Sequence, residues 1–512
     1  MTDVQTLLVL VAVAVVLVRV ADAMHVPSPI VLVLGGLAIA LAPGLPQIEL
    51  PPEAIFFGFL PPLVHSAGWW SSPRELRAVV RPLTLLCVGL VFATAAAVAL
   101  VAHELVPGLG WAPAAILGAI LAPTDAVSAV ATFGQLGIPE RTRLLVEGES
   151  MINDAVALVL WRIAIGAATG GALSAGDAVL TFLGNSLGGV AVGLAAGWLS
   201  AAIMRRQTDA PLVIFVGVVT AYAAYIGADA LHASGILAAV VAGLYAGYQA
   251  PRVLDADTRL TGIAFWRVLV FGLEVTLFVL LGLQLPAVVD ALAESSLSVG
   301  ELIGPAVAIA AVSIAVRLVF VLAMGADAGE DVRERLLLGW SGMRGAVSLA
   351  AALAVPHDVE GRPAIVFLTF TLILATLVGQ GLTLPLVVRA LGLRRERRWS
   401  DEEAVARMEA AQAALDRLDE LEEEDAIGEA PLRRLRDLYR ARFRVCAAVL
   451  GGSDTAAAIR DEQIGDYRRL RRDLIGTERE TLRLLRAEGR LTAATMRMVE
   501  YDLDLEEARL RA

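Results

Sequence analysis

Along the first three quarters of the chain, apolar residues come in long blocks separated by short polar or arginine-bearing segments. Thirteen blocks are long enough to cross about 30 Å of hydrocarbon as helices. They lie near 5–21, 29–43, 52–68, 82–103, 111–131, 147–168, 177–203, 211–229, 233–249, 265–286, 300–324, 335–355 and 363–388. After Asp401 the pattern changes: Val405, Met408, Ala411, Leu415, Leu418 and Leu421 recur at helical spacing among alternating charges, and the pattern breaks at Gly428 and Pro431 before resuming. That is the signature of solvated, salt-bridged helices. The pattern predicts an all-α polytopic membrane protein of about thirteen transmembrane helices over 1–392, followed by a C-terminal α-helical domain over 393–512.

Composition agrees. With 57% hydrophobic residues, 19% charged residues and a mean hydropathy of +0.69, the 512-residue chain is too apolar for a soluble protein of its size. All 42 basic side chains are arginine, 18 before position 393 and 24 after it. The run Arg394-Arg395-Glu396-Arg397-Arg398 is expected at the membrane surface, where anionic lipid attracts each basic group by about 1 kcal/mol. A net charge of -11 gives no sign of nucleic-acid binding. Cys87, in an apolar block, and Cys446, in the tail, imply no disulfide or metal framework. The first block, Leu7 to Val18, has no basic segment before it and reads as a retained span.

Loop arginines set the orientation. Alternate loops carry Arg19; Arg74, Arg77 and Arg81; Arg141 and Arg143; Arg205 and Arg206; Arg252, Arg259 and Arg267; Arg333 and Arg335; and Arg389, whereas the opposite loops carry only Arg362. The N-terminus is therefore expected outside the cell and the C-terminal domain in the cytoplasm.

Two spans are interrupted, the fifth by Ala122-Pro123-Thr124-Asp125 and the twelfth by Ser341-Gly342-Met343-Arg344-Gly345. Irregular backbone at membrane depth is tolerated only where it is buried in protein or lines a cavity. The breaks lie seven spans apart, as expected if spans 1–6 and 8–13 are inverted repeats joined by span 7. Paired broken helices are the sequence mark of a transporter's binding site. A proline kink and glycines that permit close packing explain one break alone, but not two at matching positions.

Between the breaks stands Glu149-Ser150-Met151-Ile152-Asn153-Asp154. At helical spacing Ser150 and Asp154 share one face, and Glu149 and Asn153 share the adjacent one. One face is suited to hold an ion and the other to hold the helix. Asp154 lies about a turn deeper than Glu149, and a carboxylate at that depth with no fixed cation can exchange a proton for a cation, which couples the two fluxes. The Ser150 hydroxyl and the carbonyl freed at Thr124 are further oxygen donors, suited to a hard monovalent cation at Asp154, Ser150 and Thr124. Arg344, on the other broken helix, needs a counter-ion, and Glu149 is the natural candidate. Asn153 is expected to orient backbone or water at the crossing, and Asp125 either to cap a half-helix or to hold a ligand water. Arg162 and Arg317 read as residues that snorkel toward an interface. His65, His232, Glu274 and Gln380 gain no role from their spacing.

Together these residues resemble the cation:proton antiporter superfamily, in its sodium/proton exchanger branch. The resemblance rests on Leu60-Pro61-Pro62, the Pro123-Thr124-Asp125 break, Glu147-Gly148-Glu149-Ser150 through Asn153-Asp154, His232 with Ser234-Gly235-Ile236-Leu237, and Gly342-Met343-Arg344-Gly345, in order along the spans. It implies a homodimer in the cell membrane, with a dimerisation part near 1–70 and 205–290 and an ion-transporting core near 80–170 and 300–390. It further implies an elevator-like exchange of Na⁺, Li⁺ or K⁺ for H⁺ at Asp154, with no cofactor. The site set is Asp154, Ser150, Thr124, Asp125 and Asn153. Asn153, where electrogenic relatives carry an acid, implies one proton per cation. Where many exchangers place an acid, this chain has Ser66, beside His65; both are secondary candidates for the site. A potassium/proton antiporter, a channel and a non-transporting sensor are the alternatives. An intramembrane hydrolase built on Ser234 and His232 is disfavoured, because residues two apart on a helix point to different faces. No partner for the cytoplasmic tail follows from its sequence.

Overall fold

A computed structural model describes residues 3–42, 51–127, 129–130, 133, 138–169, 175–207, 209–295, 297–324, 331–393, 401–423, 429–450, 454–488, 490, 495–496, 499–500 and 503–507. All regular structure among them is helical. The chain divides into two compact units, Met1–Arg395 and Glu396–Ala512.

The first unit begins with α1 (Asp3–Met24) and α2 (Ser28–Ala40), the latter opened by Pro29, whose fixed φ suits a first turn. α3 (Leu60–Trp70) starts on Leu60-Pro61-Pro62, and the turn before it, Ala54–Phe59, is π-helical. Prolines without an N–H leave carbonyls one turn earlier unclaimed, and the Tyr222 hydroxyl donates to the Gly58 carbonyl at 2.9 Å. After α4 (Pro73–Ala78), α5 (Val80–Thr84) runs through a π-helical turn, Leu85–Leu90, into α6 (Val91–Leu105). α7 (Trp111–Leu121) stops just before Pro123, and α8 (Glu140–Ala168) carries the Glu149–Asp154 run. The remainder of the fifth span falls partly outside the described residues.

α9 (Ala175–Met204), α10 (Ala210–Ala230) and α11 (Gly235–Val253) follow. Ser234 caps α11 by accepting the Leu237 N–H, which gives this serine a structural task in place of a nucleophile's. α12 (Ala256–Leu283) is capped by Asp255 and leads into α13 (Leu285–Ala293). α14 (Val299–Ala323) opens on a Ser298/Glu301 capping box. The second broken pair, α15 (Val332–Trp340) and α16 (Ala346–Leu353), precedes α17 (Arg362–Leu374), which passes through a π-helical turn at Ala375–Gln380 into α18 (Gly381–Leu391). Seven helical stretches among the described residues are long and apolar enough to cross a membrane: Val80–Leu105, Glu140–Ala168, Gly176–Met204, Ala210–Ala230, Ala256–Ala293, Val299–Ala323 and Arg362–Ala390. α2 and α7 are shorter apolar helices.

Small residues let certain backbones touch, as expected where apolar burial alone does not drive helices together. A Cβ added at Gly243 of α11 would collide with the His65 carbonyl of α3, and one at Gly68 of α3 with the Val240 carbonyl of α11. Gly282 of α12 meets the Val33 carbonyl of α2, and Gly118 of α7 meets the Ala95 carbonyl of α6, in the same way.

In the second unit, α19 (Asp401–Glu423) packs along α20 (Glu429–Leu450), with Pro431 in the first turn of α20. Arg436 bridges Asp419 at 2.7 Å and Glu422 at 2.6 Å. α21 (Asp454–Ala487) holds the last described segment through Arg471 to Glu506 at 2.6 Å and Arg479 to Glu507 at 2.7 Å. Gly428 and the 394–398 arginine run lie outside the described residues.

Candidate ion-translocation site

The two interrupted helices meet backbone to backbone. The Asp125 N–H donates to the Met343 carbonyl at 2.7 Å. A Cβ at Gly345 would stand 2.5 Å from Asp125 Oδ2, so only glycine lets the second chain pass.

Such breaks expose helix ends whose partial charges need opposite partners. At the negative C-terminal ends sit two fully buried guanidinium groups. Arg344 donates Nε to the Leu121 carbonyl at the end of α7 at 3.1 Å and Nη1 to the Gly342 carbonyl. Arg317 of α14 donates Nε and Nη2 to the Leu338 carbonyl near the end of α15, at 3.2 and 3.0 Å. On the other side of the first break, Asp125 Oδ1 accepts the Val127 N–H at 2.9 Å. The alternative left open by the sequence is thus answered for one Asp125 oxygen: it caps backbone.

The expected partnership of Glu149 with Arg344 is corrected. Arg317 forks onto the Glu149 carboxylate, with Nη1 on Oε1 and Nη2 on Oε2 at 2.9 Å. Arg344 is satisfied by carbonyls and donates its own N–H to Thr376 Oγ1 at 3.1 Å. The physical reason is that α14 lies against α15 and delivers Arg317 to the carboxylate, whereas the cap positions hold Arg344. Arg317 is 1% exposed and does not snorkel. A full charge about two turns inside the end of the apolar 300–324 block was the available signal.

The network continues through the broken helix. Thr124 Oγ1 donates to Glu149 Oε1 at 2.9 Å, and Asn153 Nδ2 donates to Thr124 O at 3.2 Å and to Thr124 Oγ1 at 3.0 Å. Asn153 therefore ties α8 to the break through Nδ2, and it is not among the residues that line the cavity described next. The same contact engages the Thr124 carbonyl expected to be free.

Beside the crossing lies a cavity of about 440 Å³ whose walls include Thr124, Asp125, Ser150, Asp154, Ser66 and Glu274. Ser150 Oγ accepts the Ala126 N–H at 3.1 Å, tying the cavity wall to the break. Ser66 donates to the Leu63 carbonyl at 2.7 Å. His65 turns away: its Nδ1 donates to the Ala239 carbonyl at 3.2 Å and its ring lies 5.5 Å from that of Trp266, so the histidine packs α3 against α11 and α12 and does not line the cavity. Asp154 also borders a crevice of only about 10 Å³ lined by Ala119, Trp161 and Val347. That is about the least space that holds one water, so most of the open space beside Asp154 lies on the side of the 440 Å³ cavity. Glu274, given no role by its spacing, faces the same cavity as Asp154.

Crossed half-helices clamped by buried arginines, with a carboxylate lining a cavity at the crossing, define an ion-transporting helical membrane protein. The sodium/hydrogen exchanger transmembrane family model matches residues 7–390, and the chain belongs to that family. It is 33% identical over 507 residues to an uncharacterized Na(+)/H(+) exchanger of Mycobacterium tuberculosis, covering 95% of this chain and 92% of the relative. It is also 33% identical over 394 residues to the Na(+)/H(+) antiporter NhaS2 of a Synechocystis strain, covering 77% and 72%. Among solved structures, the sodium proton antiporter MjNhaP1 from Methanocaldococcus jannaschii at pH 8 superposes with a TM-score of 0.60 at 21% identity, covering 74% of this chain and 98% of that one. This likeness concerns the fold.

Proposed function

We propose that the chain is a secondary antiporter that exchanges Na⁺ for protons, with Asp154 binding either the cation or the proton. The observation that carries the reading is Asp154 itself, a carboxylate between a broad cavity and a narrow crevice, next to the crossing and with Ser150 one turn away on the same face. The names of similar proteins, Na(+)/H(+) antiporters in Synechocystis and Aphanothece halophytica, favour Na⁺ over a potassium-specific exchanger. A channel would need a continuous path, and the 10 Å³ crevice argues against one.

In this reading thirteen crossings form two inverted repeats, in the cell membrane, with the N-terminus outside and the tail in the cytoplasm. The cavity is lined by Ser28, Trp70 and Glu147, near helix ends that adjoin arginine-bearing segments, which supports a cytoplasmic opening. Residues near 80–170 and 300–390 form the moving core. The network of Arg317, Glu149, Thr124, Asn153 and Arg344 supports this by tying α8, both breaks and α14 into one body. The parts near 1–70 and 205–290 form the scaffold and the homodimer contact, and 393–512 is regulatory.

The test is dissipation of an imposed pH gradient in proteoliposomes on adding Na⁺, Li⁺ or K⁺, with Asp154→Asn in parallel and the voltage held by K⁺ and valinomycin in the Na⁺ and Li⁺ runs. Cation-dependent dissipation lost in a folded variant is expected. Wild-type-like exchange by Asp154→Asn would sink the assignment.

A further inference from the structure

Glu274 is an acid in the middle of α12, flanked one turn either way by Val270 and Phe278, both on the same cavity wall. No hydrogen bond or ion pair to it occurs among the described residues. Among the described residues, the titratable ones on the cavity wall are Asp125, Glu147, Asp154 and Glu274, with no arginine or histidine. Glu147 is engaged by Arg143 at 2.7 Å, and Asp125 caps Val127. Glu274 thus shares with Asp154 the state of a deep carboxylate facing open space without a protein cation. An ionised acid unpaired at such depth is costly, so it is held neutral by a proton or completed by a mobile cation, the two species an antiporter exchanges. Its helix lies in the part read as scaffold, across the cavity from α8.

We propose that Glu274 is a cation-binding residue for the exchange reaction: it holds the incoming monovalent cation on the scaffold side of the cavity and passes it to Asp154 and Ser150. This rests on the antiporter reading and adds where affinity is set. The Ser66 side chain on the same wall offers only a hydroxyl, so Glu274 supplies the negative charge that this wall otherwise lacks. Because it meets the ion before Asp154 does, its removal weakens capture without preventing the proton-for-cation step.

The experiment compares wild type, Glu274→Gln, Ser66→Glu/Glu274→Gln and Asp154→Asn in proteoliposomes, with Na⁺ presented from the cavity side and from the opposite side. Glu274→Gln is expected to raise the apparent KM for Na⁺ roughly tenfold, the scale of one lost attraction in a partly desolvated site, with kcat within about twofold and the effect confined to the cavity side. A carboxylate restored at position 66 is expected to bring the KM back down. Should the glutamine variant not accumulate, Glu274→Asp is measured instead and is expected at an intermediate KM. An unchanged KM in either variant, or loss of kcat to the level of Asp154→Asn, overturns the proposal while leaving the antiporter reading intact. Exchange by Asp154→Asn itself would instead overturn that reading.

Discussion

Removing Arg317 isolates the Glu149 carboxylate in the interior, and the cost follows from its contacts. Glu149 is 2% exposed and accepts from Arg317 and Thr124; Arg317 also covers the Leu338 carbonyl. Breaking a buried ion pair by deleting one partner costs about 3–5 kcal/mol, mostly because the other charge is stranded. Arg317→Met should therefore lower the thermal midpoint of the detergent-solubilised protein by several degrees, given about 2–4 °C per kcal/mol in domains smaller than this one. Glu149→Gln/Arg317→Met strands no charge and should recover most of that loss, giving a coupling of about 3 kcal/mol or more in a double-mutant cycle, since each single variant strands the other's charge. The matching cycle between Glu149 and Arg344 should give much less, since Arg344 is satisfied by the Leu121 and Gly342 carbonyls. Midpoints from fluorescence-detected size exclusion supply all four corners of each cycle. Larger coupling to Arg344 than to Arg317 would refute the reasoning.

Thr124→Val removes the hydroxyl shared by Glu149 and Asn153, and a loss of about 1–3 kcal/mol with exchange retained is expected; a variant as stable as wild type in the same melting assay would show that the bridge carries no weight. Arg162 of α8 contacts Asp229 of α10 at 2.7 Å, and both are partly exposed, so breaking the pair should cost under about 1 kcal/mol. Joining those positions as cysteines with a bifunctional thiol reagent should nevertheless stop exchange, because the pair links the proposed core to the proposed scaffold; full exchange by the cross-linked protein would rule out relative motion there. Truncation after residue 395 should preserve exchange in proteoliposomes, with a shift in its pH dependence permitted; complete loss in a correctly inserted protein would contradict a regulatory tail.

The broken helices, the polar run of α8 and the helical tail were legible because each breaks a local rule: proline and glycine within apolar blocks, charge within a span, and a change of period after position 400. The division of α8 into two faces also followed from helical spacing, which puts Ser150 and Asp154 on the cavity and Glu149 and Asn153 against the break. Partner choice did not follow. Arg317 and Arg344 are alike in one dimension, and which of them reaches Glu149 depends on how α14 leans against α15. Glu274 and His65 were undecided for a similar reason, since a helix in an apolar bundle shows its direction only once its neighbours are placed. The π-helical turns at Ala54–Phe59, Leu85–Leu90 and Ala375–Gln380 left no clear mark in the sequence either.

The glycine contacts of α3 with α11 and of α2 with α12 have a mechanical consequence. Two backbones in direct contact have no side-chain layer to deform, so those pairs behave as rigid girders, and Gly118 stiffens α6 against α7 likewise. Any sliding must then take place on faces where side chains intervene, which can change rotamer as they pass. The seam of movement should accordingly be the part of the molecule that tolerates changes of side-chain size. The girders should be the part where a single added methyl group halts assembly.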